Sequence, residues 1–294
     1  MSLAENQLPP LRILPLRFLL RSQGLHFPEF SGSVWHGGLG MILAQHSQEA
    51  FRRLYQTDSE SRLYTLRPPM RTQIPAGEQF ELQLTLFGYG VDHALAVTQA
   101  IAELGKVGMR PGGYYELIEA SAITPESTTP FLSEQEGFLA APKAVAAHEY
   151  LPVDPQQIDQ CRIHFITPLR IKEGNDLLRK TPTYAQLLRR TFGRIDQLAH
   201  AAGEMPSLAK SLRAELYEKA ERVEINASSI KAHVLERRST RSGQQMQFGG
   251  IIGTVDYVGA MQTTLPWLQL ARLAQLGGKT AFGFGGLEIE VLNS

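Results

Sequence analysis

The chain has 294 residues, 43% of them hydrophobic, and its 29 Lys and Arg balance 29 Asp and Glu, which is the composition of a globular protein long enough for two domains. Its single cysteine, Cys161, excludes a disulfide framework within the chain and a zinc site built from cysteines, and it fits a reducing cytoplasm. The N-terminus does not resemble a secretory signal, and no apolar stretch approaches the roughly 18 residues that span a membrane, so we expect a cytoplasmic protein without membrane contact.

The first half of the chain alternates between strand and helix patterns. Residues 79–87 show the strand pattern best, because apolar and polar residues alternate there as in a half-buried strand. The predicted elements, in chain order, are a strand at 11–20, a turn at 23–38, a helix at 39–55, strands at 63–67 and 79–87, a helix at 93–104 capped by Asp92, a long turn at 105–113 and a strand at 114–120. This β-α-β-β-α-β order is that of a ferredoxin-like domain, the fold of RNA-recognition motifs.

The second half repeats the same order after a proline-rich segment, 124–155, that is predicted to be a linker. The elements predicted for it are a strand at 162–167, helices at 184–202 and 207–221, strands at 225–236 and 246–258, a helix at 264–276 and a strand at 287–292. The sequence therefore predicts an α+β protein of two tandem ferredoxin-like domains, the first over residues 1–150 and the second over 151–294.

Positive charge is concentrated in one part of the chain. Residues 159–245 contain 16 Lys and Arg against 10 Asp and Glu, so the remainder is acidic by the same margin. The basic residues follow the first strand of the second half, lie on the next helix and occupy the turn between the two long strands: Arg170, Lys172, Arg179, Lys180, Arg189, Arg190, Arg194, Arg237, Arg238 and Arg241. An anion-binding surface and ordinary solvated helix faces would both give this pattern.

Residues 277–286, with the sequence GGKTAFGFGG, form what we call the glycine-rich loop. It is not a nucleotide-binding P-loop, because Leu273 stands where that motif requires a glycine and because the loop leads from a helix into a strand. Its five glycines let backbone N–H groups approach an anion, to which Lys279 adds a positive charge. A tight connection between a helix and an edge strand is the alternative interpretation.

The glycine-rich loop is similar to the C-terminal signature of the CRISPR repeat-RNA endoribonucleases, the sixth family of Cas proteins within the RAMP superfamily. Further resemblances to that family follow in order along the chain, at residues 28–40, 66–69, 84–88, 167–170, 189–190, 238–243 and 249–253. The resemblance implies a cleft between the two domains and a hairpin or single-stranded CRISPR repeat RNA as the substrate, with subunits of a CRISPR effector complex as further partners. It also implies cleavage without a metal or another cofactor, in which the 2′-hydroxyl attacks the adjacent phosphorus and leaves a 2′,3′-cyclic phosphate and a 5′-hydroxyl.

Such a reaction needs an acid and a base, and histidine suits both roles because its ordinary pKa of about 6.5 lies near neutrality. His36, in the turn that enters the first predicted helix, is the first candidate, and a contact with RNA is its alternative role. His46 lies on the apolar face of that predicted helix, where a place in the core is favoured over catalysis, and His26 in the preceding turn is the third candidate. No three of the eight histidines have the spacing of metal ligands, so no metal site is predicted.

RNA contacts are predicted at the basic residues of the second half and in the glycine-rich loop, at Arg170, Lys172, Arg237, Arg238, Arg241, Gly277, Gly278, Lys279, Thr280, Gly283 and Gly285. A non-cleaving RAMP subunit, which holds CRISPR RNA as a scaffold of an effector complex, has the same fold and loop and is the alternative function. A generic pair of RNA-recognition motifs is disfavoured, because no strand carries the aromatic signature of those modules.

Overall fold

The computed structural model describes residues 8, 10–56, 61–151, 157–174, 176–204, 208–238 and 245–292. Within these ranges the chain forms two antiparallel sheets, each covered on one face by helices, and two small two-stranded ladders. None of the helices in the described ranges is long and apolar enough to cross a membrane.

The N-terminal unit is built on a seven-stranded sheet. Its elements, in chain order, are β1 (Arg12–Ser22), β2 (Leu25–His26), α1 (Gly32–His46), α2 (Gln48–Tyr55), β3 (Tyr64–Arg67), β4 (Gln73–Ile74), β5 (Gln79–Phe87), α3 (Ala94–Val107), β6 (Tyr115–Ile123), β7 (Thr128–Ser133), β8 (Gly137–Phe138) and β9 (Val145–Ala146). The strand order β3-β5-β1-β6 places β1 at the centre, β7 and β8 extend the sheet beyond β6, and β9 pairs with β1. Strands β2 and β4 form a separate ladder.

The C-terminal unit repeats this topology in a five-stranded sheet. Its elements are β10 (Gln160–Leu169), β11 (Lys172–Glu173), β12 (Asp176–Leu177), α4 (Tyr184–Ala201), α5 (Lys210–Glu221), β13 (Glu224–Ser228), β14 (Lys231–Arg238), β15 (Gln245–Val258), α6 (Leu265–Ala274) and β16 (Leu287–Val291). The order β13-β15-β10-β16 matches that of the first sheet, strand for strand, and β14 also pairs with β15. The predicted α+β fold of two ferredoxin-like units is therefore confirmed.

Both units share one apolar core. On the central strand β1, Phe18 and Leu20 are fully buried, and Trp35 of α1 and Ile101 of α3 are fully buried within the same cluster. Burial of each such side chain stabilises the fold by about 1.5–3 kcal/mol. The cluster continues without a break into the C-terminal unit, where it includes Leu187 of α4. The boundary predicted between residues 150 and 151 falls between the two sheets and stays a prediction.

Helix α1 begins at Gly32, seven residues before the predicted start, and ends at His46. The prediction was wrong because the glycines of this segment indicated a turn. Inside the helix they let neighbouring groups approach closely: a Cβ atom at Gly38 would lie 2.8 Å from Leu104, and one at Gly40 would lie 2.6 Å from the Tyr55 ring. The single helix predicted up to residue 55 is broken between α1 and α2.

Other local predictions also differ from the structure. The predicted linker at 124–155 instead supplies three strands, β7, β8 and β9, to the first sheet. Asp92 does not cap α3, because its carboxylate forms a bidentate ion pair with Arg12 at 2.9 and 3.1 Å. The long strand predicted at 225–236 is divided into β13 and β14, which both pair with β15.

The start of α4 is fixed by a reciprocal capping box. The Thr183 hydroxyl accepts a hydrogen bond from the backbone N–H of Gln186 at 3.2 Å, and the Gln186 side chain accepts one from the N–H of Thr183 at 2.9 Å. We expect Thr183→Ala to lower the free energy of unfolding by about 1 kcal/mol, because it leaves a helix-terminal N–H group unpaired. Urea denaturation followed by circular dichroism measures this. Ser211→Ala, which removes an exposed hydroxyl from the first turn of α5, is the control, and equal losses in both variants would contradict the expectation.

Candidate functional site

The glycine-rich loop lies directly against the N-terminal unit. A Cβ atom at Gly32, in the first turn of α1, would overlap the backbone carbonyl oxygen of Phe282 in the loop. Gly283 has a left-handed backbone (φ 88°), and a Cβ atom there would lie 2.5 Å from Pro68, just after β3. Both positions require glycine, because a Cβ atom would overlap the backbone of Phe282 at the first and the Pro68 ring at the second.

Hydrogen bonds and an aromatic contact hold the loop in this place. The N–H groups of Gly278 and Gly285 donate to the carbonyl oxygens of Arg170 and Pro168, each at 2.9 Å, which ties the loop to the end of β10. Phe284 of the loop is buried, and its ring packs edge to face on Phe30 with centroids 4.8 Å apart.

Arg194 of α4 is buried and connects three parts of the chain. Its guanidinium donates to the carbonyl oxygen of Ala274 at 3.1 Å, to Ser61 Oγ at 3.1 Å and to Thr280 Oγ1 at 2.8 Å. Burial lowers the pKa of Arg194 to about 10, so the group stays charged at neutral pH. It therefore joins α4, the N-terminal unit and the glycine-rich loop through hydrogen bonds to neutral oxygens.

His36 lies where α1, β3 and the glycine-rich loop meet, and its side chain is half-buried. Its ring stacks on the ring of Phe282, with centroids 4.0 Å apart and an angle of 28° between the planes. Lys279, which is exposed and has a left-handed backbone (φ 69°), places its ammonium group 5.8 Å from the centre of the same ring. The fold thus brings the first catalytic candidate and the charged residue of the loop to one aromatic side chain.

Two tyrosines hold the other side of His36. Tyr64 Oη lies 2.7 Å from His36 Nδ1, and Tyr55 Oη donates to the backbone carbonyl oxygen of His36 at 2.8 Å. The Tyr64 side chain is fully buried, and burial raises the pKa of both hydroxyls above that of an ordinary tyrosine. Both tyrosines are therefore neutral hydrogen-bonding groups at physiological pH.

The two other candidate histidines lie apart from this constellation. His46 is the last residue of α1 and is exposed, so the interpretation that it belongs to the core is wrong. It lies ten positions after His36 in the helix, a rise of about 15 Å. His26 is exposed on β2, in the small ladder with β4. A catalytic role for either residue stays a prediction.

The predicted RNA contacts fall into different environments. Gly278, Lys279 and Lys172 are exposed, and Gly277 and Arg170 are half-buried. Thr280, Gly283 and Gly285 are buried in the contacts described above. Arg237 and Arg238 lie on β14, which pairs with β15 up to Gln245, whereas Arg241 lies outside the described residues. His233 of β14 approaches Glu29 of the N-terminal unit, with 3.5 Å between Nε2 and Oε1, so the base of this hairpin adjoins the segment that leads into α1.

A concave region of about 430 Å³ lies between the two sheets, apart from His36. It contains Glu288 of β16, whose carboxylate pairs with Arg67 of β3 at 2.5 Å and with Arg272 of α6 at 2.8 Å. These paired charges connect the units and leave little unbalanced charge for a polyanion. Among the residues that the structure describes, no group of three or more His, Cys, Asp or Glu side chains is arranged to hold a metal ion.

Sequence reasoning missed three residues of this site. Arg194 was grouped with the surface arginines of its helix, although its spacing from Thr191 and Leu198 places it on the apolar face, and that signal was available. Tyr55 and Tyr64 carried no comparable signal, because their contact with His36 depends on how α2 and β3 pack on α1.

Family models match both halves of the chain. Residues 163–287 match the model described as CRISPR-associated endoribonuclease Cas6, and residues 10–144 match a model described only as an N-terminal domain. An uncharacterized protein of Archaeoglobus fulgidus is 22% identical over 306 residues, covering 95% of this chain and 98% of its own length.

Solved structures of Cas6 proteins share the fold. The Cas6 of Thermus thermophilus superposes with a TM-score of 0.61 at 17% identity, covering 95% of this chain and 99% of its own, and a Cas6 product complex gives 0.62 with 95% and 100% coverage at the same identity. A partial Cas6-RT-Cas1–Cas2 complex contains a chain with a TM-score of 0.65 at 14% identity, covering 97% of this chain and 47% of its own. At these identities the likeness shows a common fold.

The buried guanidinium offers a direct test of how the site is assembled. We expect Arg194→Ala to lower the free energy of unfolding by about 2–4 kcal/mol, because it leaves a cavity and removes the donor from three buried oxygens. Chemical denaturation measures the loss. Arg189→Ala on the same helix, which removes an exposed ion pair with Glu221, is the matched control and should change stability by less than about 1 kcal/mol. A comparable effect of the two substitutions would show that Arg194 does not connect the units.

Proposed function

We propose that this chain, in which residues 163–287 match the Cas6 family model and which has the fold of Cas6 proteins over nearly its whole length, binds CRISPR repeat RNA and cleaves it endonucleolytically without a metal ion. The observation that carries the proposal is the contact of His36 and Lys279 with one Phe282 ring, because it joins a proton-transfer group to a positive charge in the glycine-rich loop.

The proposed reaction is an internal transfer at one phosphodiester. The 2′-oxygen forms a bond to the adjacent phosphorus as its proton leaves to a base, and the bond from phosphorus to the 5′-oxygen breaks as that oxygen takes up a proton. The products are a 2′,3′-cyclic phosphate and a 5′-hydroxyl. His36 acts as the general acid or the general base, and the ammonium group of Lys279 stabilises the negative charge that develops on the phosphoryl oxygens.

The exposure of the loop residues determines which of them we propose as RNA contacts. Gly278 and Lys279 form the exposed end of the loop, where the ammonium group of Lys279 can meet a phosphate directly. The N–H groups of Gly283 and Gly285 already donate to the carbonyl oxygens of Thr280 and Pro168. We propose that these two buried glycines hold the exposed end in position and that they do not bind RNA themselves.

The basic hairpin supplies a second region of proposed contact. Arg237 and Arg238 stand at the far end of β14, beyond His233, which adjoins the N-terminal unit. We propose that these two arginines and Arg241 bind phosphates of the RNA, together with Arg170, which follows β10, and Lys172 at the start of β11.

We expect His36→Ala to slow cleavage of the cognate repeat RNA by about 100- to 10,000-fold, because general acid–base catalysis contributes that much to proton-transfer reactions. Single-turnover cleavage in the presence of a chelator measures the rate, and a filter-binding assay should give an unchanged Kd. His46→Ala and His26→Ala are parallel trials of the other two candidate histidines, and His200→Ala, which removes an exposed imidazole from α4, is the matched control and should cleave as the wild type does. Cleavage by the His36 variant at the wild-type rate would exclude a catalytic role for His36. If the wild-type protein itself binds the repeat RNA but does not cleave it, the protein is a scaffold subunit.

A double substitution tests the basic hairpin. We expect Arg238→Ala with Arg241→Ala to weaken RNA binding and to reduce the slope of log K against log salt by about one for each phosphate that the protein no longer neutralises. Titration of labelled repeat RNA at several salt concentrations measures the slope. Arg52→Ala with Arg53→Ala, which removes two exposed arginines that pair with Glu49 on α2, is the charge-matched control. An unchanged slope in the hairpin variant would contradict the proposed contact.

A further inference from the structure

Two strained backbone positions lie at the entrance to the glycine-rich loop. Gln275 (φ 53°) and Lys279 (φ 69°) are the two residues other than glycine that have a positive φ within the described ranges. Side chains disfavour this conformation, because the Cβ atom crowds the backbone, so it persists only where the surrounding contacts impose it. The contacts of this short segment therefore decide the shape of the loop.

Arg194 binds the residue next to each strained position. Its Nε donates at 3.1 Å to the carbonyl oxygen of Ala274, which directly precedes Gln275. Its Nη2 donates at 2.8 Å to Oγ1 of Thr280, which directly follows Lys279. One planar guanidinium therefore spans the strained segment from one end to the other.

Packing alone does not account for an arginine in this place. A buried cation loses its hydration, and the hydrogen-bond partners of Arg194 are neutral oxygens, which offset this cost only in part. An apolar side chain of similar size would avoid the cost. What an arginine adds is a rigid plane of donors, which can hold several segments in one fixed geometry.

The conformation of Lys279 determines where the rest of the loop goes. Its carbonyl oxygen accepts a hydrogen bond from the N–H of Phe282 at 2.9 Å, so Lys279 begins the single helical turn Thr280–Phe282. This turn carries the Phe282 ring that stacks on His36, and the ammonium group of Lys279 lies 5.8 Å from the centre of that ring. A change of φ at Lys279 would therefore move the charge and the ring together.

We propose that Arg194 is a positioning residue, which holds Lys279 in its left-handed conformation through Thr280 and thereby fixes the ammonium group beside the Phe282 ring. In this arrangement the buried Thr280 hydroxyl acts through Lys279 and does not contact RNA. The proposal rests on the proposed function for the role of Lys279 at the phosphate, but the imposed conformation is a property of the protein without RNA.

Melting temperatures test the imposed conformation without RNA. Lys279→Gly and Lys279→Ala both remove the charged side chain, but only glycine is unstrained at a positive φ, so Lys279→Gly should melt about 2–4 °C higher than Lys279→Ala. Thr280→Val keeps the shape of the side chain and removes the oxygen that accepts from Arg194. In that background residue 279 is released, and the difference between the two substitutions should disappear.

Two further variants serve as controls for the melting experiment. Thr280→Ser keeps the hydroxyl and should preserve the difference. Thr191→Val, which removes a buried threonine hydroxyl that donates to the carbonyl oxygen of Leu187 within α4, is the matched control and should also preserve it. A difference that persists in the Thr280→Val background would overturn the proposal, as would equal melting of Lys279→Gly and Lys279→Ala in the otherwise wild-type protein.

Binding of repeat RNA by the same variants separates this proposal from the proposed function. Lys279→Ala should lower the slope of log K against log salt by about one, and Thr280→Val should weaken binding in the wild-type background but not in the Lys279→Ala background. Further weakening in the double variant would overturn the positioning role, because Thr280 would then act on RNA by another route. If the melting difference responds to Thr280→Val but Lys279→Ala binds RNA as the wild type does, the positioning by Arg194 is confirmed and the phosphate contact proposed for Lys279 is wrong.

Discussion

The close approach of two backbones, at Gly32 of α1 and the carbonyl of Phe282, is the constraint on which the rest of the site depends. It fixes where the glycine-rich loop stands relative to the first helix, and therefore where Phe282 meets His36. The loop in turn is tied to β10 by its own N–H groups and to α4 through Arg194. A site that combines residues from both units exists because no side chain separates these two segments.

The topology of both units was predictable because it depends on periodic patterns. Alternation along β5 and the order of strands and helices were sufficient to indicate two ferredoxin-like units, and the structure has the same strand order in each. The wrong predictions of local structure came from segments rich in glycine and proline. These residues favour turns, but in this fold they also lie within a helix and a strand. Gly38 and Gly40 lie inside α1 because their neighbours need the space, and the proline-rich segment after β6 still pairs as an edge of the sheet.

The candidate site was only partly predictable, for a different reason. His36, Lys279 and the glycine-rich loop were identified from residue types and from a family resemblance, and both signals are present in the local sequence. Tyr64 and Arg194 make contacts between segments that are distant in the sequence. Tyr64 of β3 contacts the His36 imidazole, and Arg194 of α4 contacts the glycine-rich loop. The burial of two residues is the opposite of what the sequence indicated: Arg194, grouped with surface arginines, is buried, and His46, assigned to the core, is exposed. Contacts of this kind depend on tertiary packing, which local patterns do not encode.

The shared interface also limits how this chain can diverge. Gly32 and Pro68 belong to the N-terminal unit and meet backbone or glycine of the C-terminal unit, while Ser61 and Arg67 receive or donate hydrogen bonds across the same boundary. A half taken from a distant relative would bring its own loop geometry and its own side chains to these positions, and the two surfaces would no longer match. We therefore expect that the two ferredoxin-like units of this chain can be exchanged only as a pair, although each has the topology of an independent fold.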